Sequence, residues 1–120
     1  MAFIATVLTL PLEAQQTAYN FQPEQLFNQG KEMFLAENYA GAQDILSKYI
    51  DKSKNETLKQ EARYMLAVSS FKRGEKESLE LLNKMWNEIP KSIYRNQIAF
   101  LIGSWYFDNK QWEDAKFWFE

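Results

Sequence analysis

Cysteine and histidine are both absent from this chain of 120 residues. The first absence removes disulfides, thiolate metal sites, cysteine nucleophiles and a lipidated N-terminal cysteine. The second removes the commonest general base and the commonest transition-metal ligand. There is no glycine-rich phosphate loop and no cluster of metal-ligating residues. Lysine and arginine do not occur before Lys31. Over the whole chain there are 14 basic and 16 acidic residues, mixed along the predicted helices, and the net charge of −2 leaves no electrostatic footprint for nucleic acid or acidic lipid. These absences predict a chain with no catalytic residues, no metal, no small-molecule cofactor and no nucleic-acid partner.

The remaining chemical fragments are weak. Ser69-Ser70-Phe71-Lys72 has the Ser-x-x-Lys spacing of an acylating serine, but it falls inside a predicted helix without companion motifs. Asn55-Glu56-Thr57 is a formal glycosylation sequon that reads more simply as a turn and cap. Glu75, Glu77 and Glu80 read as a solvated acidic face.

The first residues differ from the rest. Ala2 to Leu12 is an apolar run broken by Thr6, Thr9 and Pro11, too short to span a bilayer as a helix. It matches the core of a secretory signal, with cleavage expected after Ala14, although only the amino terminus supplies positive charge at its start. Residues 1–14 are thus read as a signal peptide, the alternative being a hydrophobic arm packed on the first helices. Residues 15–22 read as a linker.

What is abundant is aromatic: 16% of the residues, set in a repeating pattern. Gly30, Ala67 and Gly103 stand 37 and 36 residues apart. Three residues before each come Phe27, Tyr64 and Phe100; four after come Phe34, Phe71 and Phe107. Further on, Tyr39 matches Lys76 and Trp112, and Ala42 matches Leu79 and Ala115. A period in the thirties with helical spacing inside each copy predicts stacked helical hairpins.

The signals within each copy agree. Pro23 suits a first helical turn, and Leu26, Phe27, Gly30, Met33 and Phe34 share one face of a helix over about 23–37. Asn38 marks a turn, and a second helix runs to about residue 51. Asp51 to Glu56 reads as a link, and Thr57-Leu58-Lys59-Gln60 has capping-box spacing. Gly74, after Lys72 and Arg73, suits a left-handed helix end. A partner helix over about 76–88 directs Leu79, Leu82 and Trp86 inward and stops at Ile89-Pro90. Ser92 is positioned to cap a third pair, with Tyr106 and Phe107 on its first helix and Trp112 and Ala115 on its second. The apolar last segment, without a polar capping helix, leads us to expect an N-terminal piece of a longer protein.

The small residues Gly30, Ala67 and Gly103, followed by Phe34, Phe71, Tyr106 and Phe107, then Tyr39 and Trp112, then Ala42 and Ala115, occupy the positions that mark a tetratricopeptide repeat. Over residues 23–120 the chain resembles that family, most closely in its third copy and least in its second. The resemblance implies an all-α fold: a right-handed superhelical array of antiparallel hairpins, an α-solenoid of two and a half to three repeats. Their bounds are about 23–56, 57–91 and 92–120, the last incomplete.

The resemblance also implies a binding face made by the first helix of each hairpin. Its residues are Phe27, Lys31, Phe34 and Leu35; Tyr64, Val68, Phe71 and Lys72; and Phe100, Ser104, Phe107 and Asp108. Phe27, Tyr64 and Phe100 stand where some members carry a carboxylate-clamping lysine, so a hydrophobic helix or extended peptide is the expected guest. The competing reading makes these aromatics inter-repeat core. The function expected is a non-catalytic protein-binding scaffold, exported to the periplasm or associated with the outer membrane, with the cytoplasm as the alternative. A second functional class is a docking or sensory module of a regulatory protein or enzyme whose active domain lies beyond Glu120.

Overall fold

The computed structural model describes residues 22–88 and 93–120. Among them the regular elements are six α-helices and no strand: α1 (Pro23–Leu35), α2 (Tyr39–Lys52), α3 (Glu56–Lys72), α4 (Ser78–Glu88), α5 (Arg95–Asp108) and α6 (Trp112–Phe119). The signal-peptide reading, the linker apart from Gln22, the Ile89-Pro90 stop and the Ser92 cap lie outside the described residues.

The helix starts follow local chemistry. Pro23 opens α1, where its missing N–H leaves no bond unmade. Asn38 caps α2 by accepting the Gly41 N–H at 3.1 Å, and Asn55 caps α3 by accepting the Leu58 N–H at 3.0 Å. The capping box expected at Thr57 is therefore corrected. Asn55 stands two residues earlier, its side-chain carbonyl already satisfies the orphan Leu58 donor, and Thr57 lies inside the helix. The link expected over Asp51–Glu56 shrinks to Ser53, Lys54 and Asn55, because polar residues continue both flanking helices.

The first helix of each pair ends in the same way. Glu37, Gly74 and Lys110 all take positive φ, at 63°, 69° and 60°. They are spaced by 37 and 36 residues, the period of the sequence repeat. The next residue bonds back in each case: Asn38 N–H to Met33 O at 2.8 Å, Glu75 to Ser70 at 3.0 Å, Gln111 to Tyr106 at 2.8 Å. Glu37, Gly74 and Lys110 donate to the carbonyls of Phe34, Phe71 and Phe107. This double closure is the Schellman motif, which satisfies carbonyls that a helix end would leave bare.

The turns return each chain segment onto its predecessor. Helix α1 packs on α2, α3 on α4, and α5 on α6; α2 also packs on α3 and α4 on α5, while α3 touches both α1 and α5. One cluster of buried side chains joins Phe27, Ala42, Leu46 and Tyr49 of the first pair to Ala62 and Met65 of α3. A second joins Ala67, Leu82 and Met85 to Ile98 and Ile102 of α5. Helix α3 contributes to both, and Tyr64 packs against both. Each fully buried leucine or isoleucine contributes about 1.5–3 kcal/mol relative to exposure.

Polar contacts tie the pairs together at the edges. Lys31 of α1 meets Glu61 of α3 at 2.8 Å. The Gln43 amide donates to Glu75 Oε1 at 2.9 Å, and Arg73 reaches both Gln43 Oε1 at 2.7 Å and Glu75 Oε2 at 2.8 Å. Arg95 lies over the Trp86 ring, 3.4 Å from its centroid, and donates to the Trp86 carbonyl at 2.9 Å.

Candidate functional site: the hollow between α3 and α5

Helices α3 and α5 diverge enough to leave a hollow of about 390 Å³ lined by Tyr64, Val68, Lys72, Asn96, Gln97, Phe100 and Leu101. Helical geometry makes this grouping. Tyr64, Val68 and Lys72 recur every four residues and so share one stripe of α3. Phe100 and Leu101 of α5 form the opposite wall, and Asn96 and Gln97 bring side-chain amides to the rim. The walls are mainly apolar. Phe100 is well exposed, Val68 is almost covered, and Tyr64 is half-buried.

Tyr64 is held by its neighbour. Its ring stacks on Tyr94, with centroids 4.3 Å apart and planes 12° apart. Burial raises the Tyr64 phenol above its ordinary pKa. Burial also raises that of Tyr94, helped by the nearby Glu61 carboxylate and the Tyr64 phenol. Both phenols therefore stay protonated at neutral pH and can donate hydrogen bonds. Lys72, exposed on the last turn of α3, makes no ion pair among the described residues.

Four residues of the expected face thus meet here: Tyr64, Val68, Lys72 and Phe100. The other expected residues are distributed differently. Phe27 is only 5% exposed and packs on Tyr49, with centroids 5.2 Å apart. Lys31 spans from the Phe27 ring to Glu61. Leu35 stands exposed at the end of α1, and Ser104 is half-buried on α5. Asp108 borders a separate hollow with Phe71, Gly74 and Trp105.

The repeat-marking residues recur in contact. Gly30 sits against Leu46, and Gly103 sits against the Phe119 ring. Ala42, Ala67 and Ala115 are buried. Phe34 meets Tyr39 edge to face at 5.9 Å, and Phe107 meets Trp112 in the same manner at 5.1 Å. Phe71 and Tyr106 both pack on the second buried cluster.

Asn96, Gln97 and Leu101 were not anticipated as lining. Asn96 and Gln97 stand seven and six residues before Gly103, in the first turn of α5, and their proximity to α3 depends on the crossing of two helices. The Ser69 hydroxyl of the Ser-x-x-Lys fragment is fully buried and lacks a hydrogen-bond partner. Among the described residues there is no group of acidic residues arranged to hold a metal ion. No helix there is long and apolar enough to cross a membrane.

No family model, curated protein or solved structure matches the chain.

Proposed function

We propose that this chain is a tetratricopeptide-like binding module that holds an apolar peptide segment in the hollow between α3 and α5. The observation that carries the reading is the convergence of Tyr64, Val68, Lys72 and Phe100 on one hollow with a polar rim. An apolar anchor of the peptide enters between Val68, Phe100 and Leu101. The Asn96 and Gln97 amides each offer a donor and an acceptor suited to peptide backbone. Lys72 favours an acidic group beside the anchor. This is the ordinary architecture of a peptide site, in which apolar surface supplies affinity and a few polar groups fix direction.

The shared turns, the 37- and 36-residue spacing and the recurrent contact of each α1, α3, α5 helix with the next support a repeat array. The apolar segment before residue 14 supports export. A panel of synthetic peptides with a single Leu, Phe or Trp anchor, with and without a flanking Asp, tests the site by fluorescence anisotropy. The reading expects saturable binding to the anchored acidic peptides. Val68→Gln and Phe100→Ser should each weaken it by about tenfold or more, given the apolar area they remove. Binding that ignores both changes while the helical content holds would overturn the proposal.

A further inference from the structure

The junction between the second and third helix pairs carries a large aromatic ring where the first junction carries a hydroxyl. The sequence repeat aligns Trp105 of α5 with Ser69 of α3, 36 residues earlier. Ser69 is fully buried, whereas Trp105 is half-buried and has space on both of its sides. Toward the turn between α3 and α4 lies a hollow of about 380 Å³, bordered by the rings of Phe71 and Trp105 and by Glu75, Lys76 and Asp108. Gly74 leaves its border bare, since a Cβ there would meet no atom within 4 Å. Along α4 a second hollow of about 700 Å³ touches the same Trp105 and adds Glu80.

The charges around Trp105 differ in freedom. Glu75 is engaged by Gln43 and Arg73. Asp108 and Glu80 make no ion pair among the described residues, and neither does Lys76. Asp108 closes α5 at the negative end of the helix dipole. The last turns of α2, α3 and α6 offset that dipole with Lys52, Lys72 and Lys116, but the last turn of α5 has no basic residue. Lys76 is exposed on a flexible stem and can point its ammonium into water. The carboxylate at the helix end and the aromatic wall together favour a cation.

The chain itself indicates which cation suits such a wall. The Arg95 guanidinium lies over the Trp86 ring at 3.4 Å and donates to a carbonyl beside it. At the first junction Arg73 reaches Gln43 at 2.7 Å and Glu75 at 2.8 Å. At the second junction the same register holds Asn109 in place of Arg73 and Glu80 in place of Gln43. The short Asn109 amide turns back to the Trp105 carbonyl at 2.8 Å, so the chain supplies no guanidinium there.

We propose that the hollow beside Trp105 receives the guanidinium of an arginine side chain presented by a partner peptide, stacked on the indole and bonded to the Asp108 carboxylate. A planar guanidinium satisfies both walls at once, its face packing on the ring while its edge donates paired hydrogen bonds to the carboxylate. A lysine ammonium has no planar face to stack. This hollow shares no residue with the one between α3 and α5, and the inference does not depend on peptide binding there.

The probes are three capped tripeptides with arginine, lysine or citrulline between two glycines, titrated into the 120-residue chain at low ionic strength. The readout is the indole ¹H–¹⁵N signal of Trp105, assigned by its loss in Trp105→Phe, with the signals of Trp86, Trp112 and Trp118 as internal controls. The arginine peptide should shift the Trp105 signal saturably at about millimolar concentration. Citrulline keeps the shape without the charge and should bind more than about tenfold more weakly. Lysine should bind at least about threefold more weakly. Asp108→Asn should weaken arginine binding by about fivefold or more, and Lys76→Gln should strengthen it. Phe100→Ser, which damages the hollow between α3 and α5, should leave it unchanged. Circular dichroism and the control indoles verify that each variant keeps its fold. No saturation up to about 20 mM, equal binding of the citrulline or lysine peptide, or the opposite order of the two charge variants overturns the proposal. So does a Trp105 shift lost in Phe100→Ser, since the peptide would then occupy the α3–α5 hollow instead.

Discussion

A Cβ built on Gly30 would lie 2.6 Å from both Cγ and Cδ2 of Leu46, and a Cβ on Gly103 would lie 2.6 Å from the Phe119 ring. The two pairs are separated by the same sixteen residues, so one close approach recurs in the first and third helix pairs. The neighbours differ in freedom. Leu46 is completely buried, while Phe119 is half exposed and can swing toward solvent. Gly30→Ala should therefore destabilise, because an overpacking loss of about 1–3 kcal/mol outweighs a helix-propensity gain of about 1 kcal/mol. Gly103→Ala should fall near zero, because a gain of about 1 kcal/mol in helix propensity offsets a smaller clash. Urea unfolding of both variants measures the difference, and equal losses would mean that Phe119 is as fixed as Leu46.

The left-handed residue at each turn gives a second expectation. Gly74 tolerates its φ of 69° without strain, whereas Glu37 and Lys110 carry a Cβ at similar angles. That conformation costs an L-residue roughly 1–2 kcal/mol, partly offset by the greater backbone entropy of glycine when unfolded. Glu37→Gly and Lys110→Gly should each stabilise by up to about 1 kcal/mol, and Gly74→Ala should destabilise by about 1 kcal/mol. No atom lies within 4 Å of the added methyl at Gly74, so the loss there would be conformational and not steric. Thermal melts of the three variants check this.

Removal of a cap distinguishes two neighbouring polar residues. Asn55→Ala deletes the bond from the Leu58 N–H and should cost about 1 kcal/mol. Thr57→Ala should change stability by less than about 0.5 kcal/mol. The opposite order in chemical denaturation would restore Thr57 as the cap.

The fully buried Ser69 hydroxyl, without a hydrogen-bond partner, carries a desolvation penalty. Ser69→Ala keeps nearly the same volume and favours the helix, so a stabilisation of about 0.5–1.5 kcal/mol is expected. A loss of stability would reveal a bond made by that hydroxyl.

Charge states at the two extremes of pH make a further test. The Gln43 amide lowers the Glu75 pKa; the Ser70 hydroxyl, near but outside bonding geometry, and the Arg73 guanidinium act in the same direction. A depressed carboxylate pKa adds stability above the unfolded value of about 4.3, and that stability is lost as pH falls through the folded value. Gln43→Ala should flatten this acid limb slightly, the Glu75–Arg73 pair lying at the surface where solvent screens it. The raised phenols of Tyr64 and Tyr94 act at the other end. Their stability is fully present below about pH 10 and declines as pH rises through the folded values. Tyr64→Phe should reduce the alkaline decline, measured by denaturation at a series of pH values.

Much of the helical framework was legible in the sequence. The 37- and 36-residue register placed the first helices of each pair, and Gly74 marked its turn because glycine is the residue that most readily adopts positive φ. Glu37 and Lys110 gave no such signal by residue type, although their alignment with Gly74 contained it. The turn-and-cap reading of Asn55-Glu56-Thr57 points to the right place, whereas the capping-box spacing at Thr57 starts α3 too late because Asn55 already caps it two residues earlier. The start of α4 at Ser78, beyond the expected residue 76, reflects Glu75, Lys76 and Glu77 remaining in the turn. Burial was the least legible property. Phe27 and Phe100 have the same register, yet α3 covers the first and nothing among the described residues covers the second to that extent. Likewise the hollow depends on how far α5 stands from α3, which no residue pattern within either helix specifies.

The most direct test of the central claim is a ¹H–¹⁵N titration of the chain with the tightest apolar-anchored peptide of the panel. The account predicts that the largest shifts fall on Tyr64, Val68, Lys72, Asn96, Gln97, Phe100 and Leu101, and that Val68→Gln removes them. Shifts confined to the outer surfaces of α2 and α4, with the α3–α5 residues silent, would contradict it.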